Sequence, residues 1–130
     1  MAWLLREPRA NDVLHALKAA GQIVSSVVTR AECLRNLVRY EATSRLSTAT
    51  VREARGLFQY AARGWVVREL DDSVLERTGR SFPLEPVRTL DAIHLATALE
   101  FHAALGALTM LSLDERIRAN AAALGLEVAP

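Results

Sequence analysis

The sequence predicts an α/β fold, a parallel sheet covered by helices, and three observations carry that prediction. Short β-branched runs alternate with longer stretches of helical spacing along the chain. About half of the residues are hydrophobic (51%), with alanine and leucine dominant, which favours a helix-rich globular chain. From Arg88 to Val128 the pattern reads helix, strand, helix, short strand, and each helix opens on an aspartate, Asp91 and Asp114. Connecting helices in a parallel α/β unit run antiparallel to the strands. Their N-termini therefore lie where the strands end, the edge at which open α/β sheets place their sites.

The elements follow in order. The segment from Arg9 to Ala20 sets Val13, Leu14 and Leu17 on one helical face and stops at Gly21. Ile23 to Val28 is a β-branched run of strand length, and Thr29 to Tyr40 returns to helical spacing through Ala31, Leu34, Leu37 and Val38. A further helix covers Ser47 to Ala62, with Leu57, Phe58 and Ala61 inward and Gly64 ending it. Trp65 to Glu69 reads as a strand, Asp72 to Thr78 as a short helix, and Pro83 and Pro86 mark a loop. The helix bearing Asp91 comes next. Leu108 to Leu113 is then a strand, Asp114 to Leu124 a helix stopped by Gly125, and Glu127 to Val128 a last strand.

A chain of 130 residues is one domain, long enough to bury a core. The formal net charge is only +1, so any nucleic acid must be held by a local basic patch rather than by bulk charge. The cations are fifteen arginines and one lysine, Lys18, a bias that suits bidentate phosphate recognition but equally follows from base composition. The single cysteine, Cys33, excludes an intramolecular disulfide and fits a reducing cytoplasm. Arg6, Glu7, Pro8 and Arg9 come too early for a signal peptide. The apolar stretch from Ala92 to Leu113 is interrupted by His94, Glu100, His102 and Gly106, and reads as helix plus buried strand rather than a membrane span.

Three acids stand out, and each has a local explanation. Glu32 lies in Thr29-Arg30-Ala31-Glu32, the pattern of a capping box in which Thr29 caps the helix and Glu32 reaches back. Asp91 follows Thr89, itself a plausible N-cap, and sits in a first helical turn, where the helix dipole favours an anion by about 0.3–1 kcal/mol. Its helix is apolar on most sides, which makes it a partly buried carboxylate in need of a partner or a metal. Asp114 follows a strand and is able to cap the helix beginning Glu115-Arg116-Ile117. Jointly, three helix openings on one sheet edge carry acids. Crowded carboxylates repel one another unless a cation sits between them, and hard divalent ions, Mg²⁺ or Mn²⁺, are the natural occupants. The remaining side chains read as structural: His94, His102, Cys33, Trp3 and Trp65 as packing, His15 as helix surface, and Arg30, Arg35 and Arg39 as a solvated face.

The segments Ser25-Ser26-Val27-Val28-Thr29-Arg30-Ala31-Glu32, Leu90-Asp91-Ala92-Ile93-His94-Leu95-Ala96-Thr97-Ala98 and Leu111-Ser112-Leu113-Asp114-Glu115-Arg116 resemble the PIN domain. Within it they resemble the VapC-like ribonuclease toxins of bacterial toxin–antitoxin pairs, and the ending Ala121 to Val128, with Gly125-Leu126, matches too. The likeness covers nearly the whole chain. The second motif joined to the third is fairly specific, whereas the glutamate motif alone is weak. The resemblance implies a three-layer α/β/α fold with a parallel sheet and an acidic cluster holding Mg²⁺ or Mn²⁺ for RNA phosphodiester hydrolysis. By the same resemblance Glu32 and Asp91 are the main metal anchors, Asp114 binds a second metal or acts through water, and Ser112 supports the site by hydrogen bonding. It further implies a cytoplasmic protein, a type II toxin, whose partners are RNA, a small antitoxin and a second copy of itself as a homodimer, with no membrane.

One departure goes with the match. The family begins with a strand ending in an aspartate, then two small or hydroxyl residues, then an apolar helix start. Here Ala2-Trp3-Leu4-Leu5-Arg6-Glu7-Pro8 resembles the segment just after that aspartate, and Asp12 lies too far along to replace it. The expectation is therefore an N-terminally truncated single PIN-like domain over residues 1–130, its first, central strand and first acid lying before Met1. Such a chain is expected to bind Mg²⁺ poorly and to cleave weakly or not at all. A non-catalytic PIN-like binding module, or a decayed toxin copy, is the alternative. The coding DNA ahead of Met1 separates the two, because an in-frame apolar run with an aspartate supports the enzyme and a stop codon supports decay. Another Mg²⁺-dependent phosphoryl-transfer domain is disfavoured, since the chain has no Gly-rich phosphate loop and no evident nucleophile.

Overall fold

The computed structural model describes residues 2–5 and 8–130. Among them the elements run α1 (Ala2–Leu5), α2 (Ala10–Ala19), β1 (Val24–Ser26), α3 (Val27–Ala42), α4 (Thr48–Ala62) and β2 (Val66–Arg68). They continue as α5 (Asp72–Thr78), α6 (Thr89–Leu105), β3 (Thr109–Leu111), α7 (Glu115–Ala123) and β4 (Glu127–Ala129). The chain is a mixed α/β protein, as the alternating pattern predicts. Two compact units divide it: one of residues 1–23 and 29–66, the other of residues 24–28 and 67–130.

The first unit is helical. Leu37, Val51 and Ala54 form one buried cluster with Leu5 and Leu46 packed on it. Leu4, Cys33 and Phe58 form another, flanked by Trp3, Leu34, Ala62 and Trp65. Phe58 and Trp65 meet edge to face, ring centroids 5.7 Å apart, so Trp3 and Trp65 are packing residues as expected. The inward stripe of α4 is Val51, Ala54 and Phe58. Leu57, expected inward, is exposed, because it neighbours Phe58 about 100° round the helix and only one of the two can face the core. The helix opens on Ser47, whose hydroxyl accepts the Thr50 N–H at 3.1 Å.

The second unit is built around α6. Ala92, Ile93, Leu95, Ala96, Thr97, Ala98 and Phe101 are all buried along it, so the helix is apolar almost all round and belongs inside. Val74 of α5, Phe82, Ile117 and Ala121 of α7, and Leu126 complete its cluster, with Val28, Val87, Met110 and Val128 packed against them. Gly106 closes α6 at φ +78°, a left-handed conformation in which a side chain is strained. Strands β3 and β4 pair in parallel, in the register Thr109 to Glu127, Met110 to Val128 and Leu111 to Ala129. Helix α7 is the crossover between them.

One expectation about a strand is corrected. The run Ile23 to Val28 is a strand only over Val24–Ser26, and Val27 and Val28 already belong to α3. The cause is Ser26: it is buried and its hydroxyl accepts the Val28 N–H at 3.2 Å, the bond of a helix cap, which turns the chain despite two β-branched residues. The strands also pair only in twos, β1 with β2 and β3 with β4. Each is three residues long, and no described strand pairs with members of both sheets.

Leu95 is 0% exposed at the middle of α6. Leu95→Ala is expected to lower stability by about 2–5 kcal/mol, read as a fall in the denaturation midpoint, whereas Leu57→Ala on exposed α4 surface should change it by under about 0.5 kcal/mol.

Candidate active site

Asp91 is the third residue of α6, one turn in from an N-cap at Arg88 that contributes no side-chain bond. Thr89, expected as the cap, is instead the first helical residue. The reason lies in the backbone: Arg88 is extended and its carbonyl accepts the Ala92 N–H at 2.8 Å, so the helix has already begun at Thr89. The Asp91 carboxylate is half-buried at the positive end of the dipole. Its helix is locked into the core on the following turns, which fixes the aspartate's backbone.

The approach to α6 is tied down with equal care. The Glu85 carboxylate accepts the N–H of Phe82 at 3.0 Å and of Val87 at 2.6 Å, closing the loop on itself. Asn120 of α7 accepts the Leu84 N–H at 2.9 Å through Oδ1, while its Nδ2 donates to the Leu84 carbonyl and to the Arg116 carbonyl, both at 3.1 Å. Nothing in the sequence reading singled out Asn120. The signal was its place between Ile117, Ala121 and Leu124 on the inward stripe of α7, where a polar side chain must be hydrogen-bonded to be tolerated.

Asp114 stands at the N-cap of α7. Its Oδ1 accepts the N–H of Arg116 at 2.9 Å and of Ile117 at 3.4 Å, and its own N–H donates to the Ser112 hydroxyl at 3.1 Å. The expected support from Ser112 is therefore present, and so is the cap. Arg118 pins the same turn from one helical turn further on, donating through Nη1 to the carbonyls of Ser112 at 3.0 Å and Pro130 at 2.7 Å. The ends of β3 and β4 are thus gathered onto α7 beside Asp114.

Glu32 lies on α3 in the first unit and is half-buried. The capping box read from Thr29 to Glu32 is not formed. Helix α3 starts at Val27, so Thr29 and Glu32 both sit inside it. Its neighbour Cys33 is a core residue, and burial above all pushes its thiol up, with the Glu32 charge acting in the same direction. A thiol held protonated is inert, which agrees with the packing role expected of it. Of the histidines, His15 is exposed as expected, and His94 and His102 are half-buried on α6.

The three acids offer a divalent cation donors of the right kind, since carboxylate oxygens suit Mg²⁺ and Mn²⁺. Among the described residues, however, no three His, Cys, Asp or Glu side chains are grouped so as to hold a metal ion, and one oxygen of Asp114 is already engaged in its cap. The donor chemistry fits; a closed three-acid group is not formed.

Also outside the sequence expectations is a polar cluster in the second unit. Arg68 reaches Asp71 at 2.9 Å, Ser73 at 2.8 Å and Glu100 at 3.3 Å. The Val74 N–H and the Ser73 hydroxyl, with Arg68 beside them, hold the Asp71 carboxyl below the usual carboxylate range. Asp71 is also the N-cap of α5, so the cluster anchors that helix to α6 through Glu100.

The structure thus defines a mixed α/β protein in which Asp91 and Asp114 stand at helix openings, Asp114 just after a parallel strand. The sequence profile of the PIN domain matches residues 1–123, and the chain belongs to the PIN domain family. It is 33% identical over 124 residues, 95% of this chain and 85% of the relative, to Ribonuclease VapC46 of Mycobacterium tuberculosis (strain ATCC 25618 / H37Rv), which makes it a VapC-like member. No solved structure matches it significantly.

Because asparagine caps a helix about as well as aspartate, Asp114→Asn should leave the melting temperature nearly unchanged. Asp114→Ala removes the cap and is expected to cost about 0.5–2 kcal/mol. Thermal unfolding of the two variants separates the cap from any role of the charge.

Proposed function

We propose that the chain is a Mg²⁺- or Mn²⁺-dependent endoribonuclease, the toxin of a type II toxin–antitoxin system, within a single PIN-like domain spanning residues 1–130. The observation that carries this reading is Asp91: a half-buried carboxylate on the first turn of a helix fixed in an apolar core, in a chain matched by the PIN domain over residues 1–123. The named activity of the relative, a ribonuclease, agrees with it. On this reading Glu32 and Asp91 hold the cation, and Asp114 acts through the carboxylate oxygen that its cap leaves over. When bound, the metal lowers the pKa of a water and steadies charge on the phosphate. Ser112 and Arg118 keep Asp114 in place, and Glu85 and Asn120 hold the loop that leads to Asp91.

The substrate is RNA and the natural partner a small antitoxin that covers the acidic pocket; a homodimer and a cytoplasmic location complete the proposal. Among the described residues no helix is long and apolar enough to cross a membrane. A second reading is a PIN-like module that binds RNA or protein without cutting.

The test takes the full chain, with any in-frame residues encoded ahead of Met1, and measures cutting of single-stranded RNA with Mg²⁺ or Mn²⁺. Asp91→Asn is expected to lower the rate by at least about 100-fold, some 2.7 kcal/mol of barrier, with an unchanged melting profile. Undiminished cutting by that variant sinks the assignment. Binding of RNA without cutting by the unmodified protein selects the second reading.

A further inference from the structure

The loop held by Asn120 makes one wall of a cleft. Asn120 is 2% exposed and engages both polar groups of the Leu84 backbone, while its bond to the Arg116 carbonyl keeps the amide from turning over. Between this wall and the first turns of α7 lies a space of about 380 Å³, within the ~300–1,000 Å³ typical of small-ligand pockets. Leu84 and Pro86 give it an apolar side, and Arg116 stands on the α7 side. Two carboxylates also line it, but Glu85 is bonded to the backbone of its own loop and Glu115 faces Arg118 at 3.5 Å. The Arg116 guanidinium is exposed and, among the described residues, takes part in no ion pair. It is the cleft's cation, and the Glu115 carboxylate, its side chain 83% exposed, lines the same space. The cleft also adjoins Asp114, whose Oδ1 accepts the Arg116 N–H.

We propose that this cleft is a nucleotide subsite that takes one unstacked base of single-stranded RNA beside the bond being cut. Leu84 and Pro86 meet a face of the base, Arg116 stacks on it or bonds its polar edge, and Asn120 is the positioning residue that holds the wall. Single-stranded RNA is read by stacking splayed bases on aromatic rings or guanidinium planes, and here Arg116 supplies the guanidinium plane, whereas a stacked duplex offers no free face. A rigid wall matters because a pocket that yields to any base cannot prefer one. The inference rests on the ribonuclease reading and adds to it the place where sequence preference arises.

The experiment sequences the cut sites left in a randomised single-stranded RNA pool by the unmodified chain and by Leu84→Ser, Arg116→Ala, Arg116→Lys and Asn120→Ala. Leu84 and Arg116 are exposed, so their variants should fold, which circular dichroism checks. The expected result is a base preference at one position next to the cut, weakened about tenfold in Leu84→Ser and Arg116→Ala, with Asn120→Ala weakening the same position and no other. A purely structural role for Asn120 would lower stability and rate without altering the profile. Profiles that coincide with the unmodified one in Leu84→Ser and Arg116→Ala, or an unmodified chain with no preference, overturn the subsite and leave the nuclease reading standing. If the unmodified chain does not cut, the nuclease reading fails, and the sequences it retains from the same pool decide the subsite. Loss of their base preference in the two variants supports it; an unchanged set, or no retention at all, overturns it.

Discussion

Everything in the second unit depends on the burial of α6. A helix with Ala92, Ile93, Leu95, Ala96, Ala98 and Phe101 all buried has no solvent face wide enough to let it lie on a surface. Each large side chain contributes about 1.5–3 kcal/mol by leaving water, and together they hold the helix far more firmly than capping could. That matters because its N-cap, Arg88, supplies no side-chain bond. Packing further along therefore takes over the work of a cap, and the first turn, with Asp91, inherits the rigidity of the core. The loop before it is fixed by other means: Glu85 ties it internally, and Asn120 ties it to α7.

Asn120 and Ser26 show how single buried polar groups direct this chain. Each sits where an apolar residue would pack, and each is tolerated because its bonds are made. Ser26 ends a strand and starts α3 at the middle of a β-branched run. Asn120 joins two segments 36 residues apart. Hydrophobic replacements of equal size would fill the space in both cases without specifying where the chain turns.

Much of this architecture was legible in the sequence because it follows from periodicity. The long helices, the loop at Pro83 and Pro86, the β3–α7–β4 unit and the stop at Gly125 are set by local patterns of apolar spacing and of residues that tolerate positive φ. The misplaced features share a different origin. Val27 and Val28 carry strand propensity, yet one hydroxyl outweighs it; Thr89 has the chemistry of a cap, yet the backbone of Arg88 starts the helix a residue earlier. Leu57 and Phe58 compete for one inward position, and the sequence does not say which wins. The bonds from Asn120 to Leu84 and from Arg68 to Glu100 are long-range pairings, which no local pattern encodes.

Each of the three acids has a candidate local role, a cap or a helix dipole, beside a chemical one. The structure makes them unequal. Asp114 does cap its helix, so its presence in the sequence is explained by stability alone, and any chemistry it performs must use what the cap leaves over. Asp91 gains from the dipole, but a gain of about 0.3–1 kcal/mol offers little against the desolvation of a half-buried carboxylate. The capping box read from Thr29 to Glu32 does not form, because α3 begins before Thr29. The proposed function takes Glu32 and Asp91 as the main anchors, as the PIN resemblance implies.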